Sequence, residues 1–108
     1  MDRKKKVYVP NRSAHDFRAA EEYGSLIFLT DGLIDRFALN TICRRFVEGT
    51  KDATADDYIL VSSLNILNSL LASVFSYRFG KVNYLLWKNG RYIERCIDLT
   101  QVMEREDG

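Results

Sequence analysis

Residues 58–63 read Tyr58-Ile59-Leu60-Val61-Ser62-Ser63, YILVSS, an unbroken apolar run of strand length followed at once by two hydroxyl residues. A strand wetted on one face alternates apolar and polar side chains, whereas a strand covered on both faces is apolar throughout. The second pattern belongs to parallel sheets flanked by helices. Beyond the two serines, Leu64 to Phe75 is apolar except for Asn65, Asn68, Ser69 and Ser73, and Gly80 follows. This predicts a long helix packed on most of its sides. Upstream, Leu26-Ile27-Phe28-Leu29 repeats the doubly covered strand pattern, and Asp31-Gly32 turns the chain. Downstream, Asn89-Gly90 separates the β-rich runs Val82–Trp87 and Arg91–Ile97. Asn-Gly between two such runs is the strongest short signal for a hairpin.

The remaining elements complete an alternation. Val7-Tyr8-Val9 is a short strand ended by Pro10-Asn11. Ser13-Ala14-His15-Asp16 has the S-x-x-D form of a helix start, with Phe17, Ala20 and Tyr23 as its apolar face and Gly24 as a left-handed stop. A second helix is expected from about Asp35 to Glu48, burying Phe37, Ala38, Ile42 and Phe46 and ending at Gly49. The expected fold is therefore α/β: a small three-layer, mostly parallel sheet of order βαβαβαββ, flavodoxin/Rossmann-like, with a C-terminal antiparallel hairpin. Its expected strand order is 2-1-3-4-5. Residues 1–6 are expected as a basic tail, 7–98 as one domain, and 99–108 as a charged C-terminal tail.

Composition excludes several classes of function. With 16 basic and 15 acidic residues among 108, the charges nearly cancel, so nucleic acid is not an expected partner. Cys43 and Cys96 lie far apart beside a single histidine, which does not make a four-ligand zinc set; they are expected as small buried hydrophobes. No apolar run approaches the roughly 20 residues of a membrane span. Pro10 also cuts the first apolar stretch too early for a secretory signal. A cytoplasmic location is expected, with no cofactor: there is no G-x-x-x-x-G-K-[ST], G-x-G-x-x-G, H-E-x-x-H or G-x-S-x-G motif.

In the expected strand order the direction of winding reverses between strands 1 and 3, and ligands bind beyond the carboxyl ends of strands at such a point. Two polar loops would line that crevice. One brings Asn11, Arg12, Ser13, His15 and Asp16; the other brings Ser62, Ser63 and Asn65. Two helix N-termini aimed at the same space favour an anion, and Arg12 adds a fork suited to phosphate or carboxylate. Each residue also has a simpler explanation: Ser13 and Asp16 as helix caps, Asn11 as a turn residue, Ser62-Ser63 as a cap, His15 as a surface side chain. His15 and Asp16 are the weak candidates for acid or base, and as sequence neighbours they point about 100° apart on a helix, a poor arrangement for a triad.

The segments VYVPNRSAHDFRAAEEYGSLIFLTDG (Val7–Gly32), DDYILVSSLNILNSLLASVF and KVNYLLW together resemble a set of small uncharacterised proteins encoded by tailed bacteriophages. The most specific element is the N-R-x-x-H-D loop after the first strand, formed by Asn11, Arg12, His15 and Asp16. The resemblance implies a phage origin and a bacterial host cytoplasm, and nothing about mechanism. Three functions are expected to compete: binding of an anionic, phosphorylated or nucleotide-like small molecule; binding and modulation of a host protein; and a minimal hydrolase using His15 or Asp16. Self-association is expected through the last strand or the long apolar helix.

Overall fold

The computed structural model describes residues 3–62 and 65–107. Five strands form one sheet: β1 (Lys6–Val9), β2 (Ser25–Phe28), β3 (Tyr58–Leu60), β4 (Lys81–Lys88) and β5 (Arg91–Asp98), in the spatial order β2-β1-β3-β4-β5. Strands β2, β1, β3 and β4 are parallel, and β5 runs antiparallel to β4. The helices are α1 (Leu39–Gly49), α2 (Asn65–Phe79) and α3 (Leu99–Asp107), with a 3-10 helix at Arg18–Glu22. The mixed α/β class, the strand order and the terminal hairpin agree with the apolar runs and the Asn-Gly turn. Asn89 and Gly90 both take positive φ, 52° and 83°, as a tight hairpin turn of the favoured twist requires.

The first connection leads from β1 to one side, to β2, while the next two lead to the other side, to β3 and β4. Connections of a single hand must then lie on opposite faces of the sheet. Accordingly, Ile42 and Phe46 of α1 and Leu67, Leu71 and Phe75 of α2 pack on Tyr8, Ile59 and Val82. On the other face Val7, Val9, Tyr58, Leu60 and Leu85 meet Phe17 and Ala20. The Tyr8 and Phe75 rings meet edge to face at 5.8 Å.

That second face is thinly covered. The helix expected from Ser13 is only the 3-10 helix Arg18–Glu22, because the β1 ladder runs on past Val9. Thr30 N–H donates to Pro10 O, Arg12 N–H to Thr30 O and Gly32 N–H to Arg12 O, at 2.8 to 3.1 Å. Residues 13–24 must then recover about 20 Å of strand length and change layers twice, while a helix of that span would reach only about 18 Å. Extended chain and the longer rise of a 3-10 helix meet the requirement. Gly24 is not left-handed as expected; a Cβ there would lie 2.4 Å from Lys5 O, so glycine is needed for close approach.

Four further expectations are corrected. Helix α1 starts at Leu39 rather than Asp35, since the Asp35 carboxylate accepts Phe37 N–H (2.9 Å) in a local turn; Phe37 is left 88% exposed. Residues 99–107, expected as a tail, form α3, with Leu99 N–H on Gly80 O. Cys96 is exposed rather than buried, because it lies on the edge strand β5. The basic start is not a free tail either: Arg3 is bonded to the buried Asp57 at 2.7 and 2.9 Å, and Lys6 opens β1.

Helix α1 closes without a left-handed glycine. Arg78 of α2 supplies the missing donors, reaching Thr50 O (2.6 Å), Thr50 Oγ1 (2.7 Å) and Val47 O (3.0 Å). Leaving helix-end carbonyls unsatisfied is costly, so Arg78→Ala is expected to lower stability by about 1–2 kcal/mol, read from urea unfolding. Arg78→Lys, with one donor site instead of a fork, should recover only part of that loss.

Candidate functional site

The N-R-x-x-H-D segment divides into a structural and an exposed half. Asn11 is buried: its Nδ2 donates to Gly32 O (3.0 Å), and the Thr30 hydroxyl lies 2.7 Å from its Oδ1 and 2.8 Å from Pro10 O, one donor shared by two acceptors. Its amide therefore holds the loop onto the β2 turn, which is a structural role in place of the expected ligand contact. Arg12 is exposed and lays its guanidinium over the Phe28 ring, 3.9 Å from the centroid. Such a stack fixes the plane of the fork while leaving its donors available.

Ser13, His15 and Asp16 are all exposed. Ser13 Oγ accepts His15 N–H (3.3 Å). Asp16 accepts the Arg18 backbone N–H at 3.0 Å and grips the Arg18 guanidinium, Nη2 to Oδ2 at 2.7 Å. The side-chain bonds from Arg18, and then its backbone N–H, hold the Asp16 carboxyl down to about 2. A carboxylate so low is ionised near neutral pH, and it is too weak a base and too reluctant an acid to transfer protons well there. Asp16 thus starts the 3-10 helix and turns to Arg18, not to His15.

On the other side of the crevice, Ser62 is held by Asn68. Ser62 N–H donates to Asn68 Oδ1 (3.0 Å), and Asn68 Nδ2 donates to Ser62 O (2.8 Å). Asn68 lies one turn into α2, so this clamp sets where the strand end meets the helix. Asn65 is the exposed first residue of α2. Ser63 falls outside the described residues.

Between these walls lies a cavity of about 350 Å³ lined by His15, Asp16, Phe17, Val61, Ser62, Trp87 and Tyr92. It sits beyond the carboxyl ends of β1, β3 and β4, where the winding reverses, and it brings His15 and Asp16 to Ser62 as expected from the strand order. A second cavity of about 230 Å³ adjoins it and shares His15, Asp16 and Phe17; Arg12, Arg18 and Phe28 also line it. The two cavities flank the His15–Phe17 segment, with an aromatic end at Trp87 and Tyr92 and a guanidinium end at Arg12 and Arg18, and the pair is called the groove.

The aromatic end was not among the expected ligand contacts. Trp87 and Tyr92 are opposite in the hairpin register, with ring centroids 4.9 Å apart. Counting outward from Asn89-Gly90 finds this pair, but not that it faces the β1 loop. Trp87 remains 56% exposed, while Tyr92 is buried. Burial, with a contribution from the Asp16 charge, pushes the Tyr92 hydroxyl above its ordinary value and keeps it a neutral donor. Among the described residues no group of three His, Cys, Asp or Glu side chains could hold a metal ion, and no helix is long and apolar enough to cross a membrane.

The model of a family described as Phage Pam3 gp32-like protein matches residues 5–99. No curated protein and no solved structure matches.

Proposed function

The chain belongs to the phage Pam3 gp32-like protein family, and from that premise we propose that it binds an anionic, nucleotide-like small molecule in the groove at the β1/β3 switch point, within the bacterial host cytoplasm. The observation that carries this reading is the polarity of the groove. A planar ring would stack against Trp87 and Tyr92, and a phosphate would lie toward Arg12, with His15 between them. Arg18 is already paired with Asp16, whereas the Arg12 guanidinium, stacked on Phe28, keeps its donors available to a ligand. In this reading the N-R-x-x-H-D loop is a divided device: Asn11 and Asp16 shape it, and Arg12 and His15 meet the ligand. Hydrolysis is the weaker reading, because the Asp16 carboxylate is spent on Arg18.

Thermal-shift and calorimetric titration with the four ribonucleoside 5′-monophosphates, against the matching nucleosides, test this. A monophosphate is expected to raise Tm while its nucleoside does so less. Arg12→Ala and Trp87→Ala are each expected to weaken binding about tenfold or more, as losing a charged bidentate contact or a stacking ring does. Asn11→Ala should instead lower stability. Absence of any shift across the panel would overturn the proposal and favour a host-protein partner.

A further inference from the structure

The sheet has two open edges, and their chemistry differs. β5 carries Arg91, Glu94, Arg95 and Asp98 along its length, the charges by which edge strands discourage pairing. β2 and the residue after it read Ser25-Leu26-Ile27-Phe28-Leu29, with no charge at all. Ser25 N–H donates to Lys5 O and Leu29 N–H to Val9 O, both toward β1. Alternate residues of a strand point their backbone groups in opposite directions, so Leu26 and Phe28 direct theirs outward, away from the sheet.

We infer that β2 is the pairing edge of a two-fold homodimer, in which two copies join antiparallel into one continuous ten-stranded sheet. A two-fold axis normal to the sheet keeps each face on its own side, so one residue must stand opposite its own copy. Centred on Ile27, the pairing sets Ile27 against Ile27, Leu26 against Phe28 and Ser25 against Leu29. The outward N–H and C=O groups of Leu26 and Phe28 then bond each other, and apolar side chains meet on both faces. The same operation on β5 sets Glu94 against Glu94 or Arg95 against Arg95, and like charges directly opposite are unfavourable. A second copy is thus admitted at one edge and repelled at the other. Leu33 and Phe37, in the segment that follows β2, are 104% and 88% exposed and add apolar surface. Leu26 and Phe28 also line the guanidinium end of the groove, so this edge and the proposed ligand site share two residues, although the pairing itself needs no ligand.

The test uses the full chain. Native mass spectrometry should show twice the 12.5 kDa mass. In a Cys43→Ser, Cys96→Ser background, Ile27→Cys should form a disulfide-linked dimer on mild oxidation with diamide. Opposed residues of a non-hydrogen-bonded antiparallel pair have Cα atoms about 4.5 Å apart, within disulfide reach. Glu94→Cys in the same background should not cross-link. Amide exchange on the unsubstituted chain supplies a readout free of mutation: protection at Leu26 and Phe28 should fall on dilution. A monomer at all concentrations, capture of a different protein at this edge without self-association, or cross-linking through Glu94→Cys in place of Ile27→Cys would each overturn the inference.

Discussion

Replacing Asp57 by alanine should destabilise the protein by about 3 kcal/mol. The Asp57 side chain is fully buried, yet it accepts from Lys6 N–H (2.9 Å), Thr54 N–H (2.9 Å) and both terminal nitrogens of Arg3. One carboxylate therefore ties the first residue of β1 and the turn before β3 to the N-terminal arm. Alanine leaves two backbone donors and a guanidinium without their acceptor, and each buried unmet donor costs about 1–3 kcal/mol. Arg3→Ala should cost about 1 kcal/mol, because Arg3 is more than a third exposed and solvent screens the pair. Urea unfolding of both variants checks the ranking.

The same residue sets an acid limb. Burial alone would raise the Asp57 carboxyl, but the hydrogen bonds from Arg3, Thr54 and Lys6 outweigh it and hold the group below its ordinary value. A group lowered on folding binds fewer protons in the native state than in the unfolded chain. Its contribution is fully present above the ordinary carboxylate range, about pH 4, and is lost as pH falls toward the native value. Asp57→Asn should flatten the loss of stability as pH falls below about 4. An unchanged acid limb would show that another carboxylate dominates it. Asp16 is also lowered, to about 2, but it is fully exposed and solvent screens its pair with Arg18, so its share of that limb is expected to be the smaller.

The second large effect is expected at Gly24. A Cβ there would stand 2.4 Å from Lys5 O and 2.7 Å from Lys5 C, and both are backbone atoms at the start of the β1–β2 ladder. They cannot yield as a flexible side chain would, so Gly24→Ala must push Ser25 away from Lys5 and open the 3.0 Å bond between them. Overpacking of this kind costs about 3 kcal/mol. Gly32→Ala is the control: φ is +73° but nothing lies within 4 Å of the added carbon, so only the left-handed backbone penalty of about 1 kcal/mol applies. Amide exchange should show lost protection at Ser25 in the first variant alone. Equal costs for the two variants would rule out the close approach as the reason for glycine at position 24.

Elements with a strong local period were readable from the chain. The apolar runs at Leu26–Leu29 and Tyr58–Val61 gave parallel strands because burial on both faces removes alternation, and Asn89-Gly90 fixed the hairpin register because only such residues take positive φ at both central positions. With strand order following from single-handed connections, the place of the crevice and the meeting of His15, Asp16 and Ser62 also followed. The errors fell where a local signal competed with a distant one. Ser13 to Asp16 has the form of a helix cap, but the continued ladder between residues 10–12 and 30–32 left too little chain for a helix. Asn11 has the look of a ligand-facing turn residue, and Thr30 with Gly32 claimed it.

From sequence alone, this chain was determined to be a mixed α/β fold of five strands with a terminal antiparallel pair, because periodicity and turn chemistry act within a few residues. The tertiary structure alone decided that the third layer shrinks to a 3-10 helix, that Trp87 and Tyr92 form one wall of the groove, and that Arg3 reaches Asp57 across 54 residues. Those outcomes depend on which distant groups compete for the same space and the same hydrogen bonds, and that competition exists only once the sheet has brought them together.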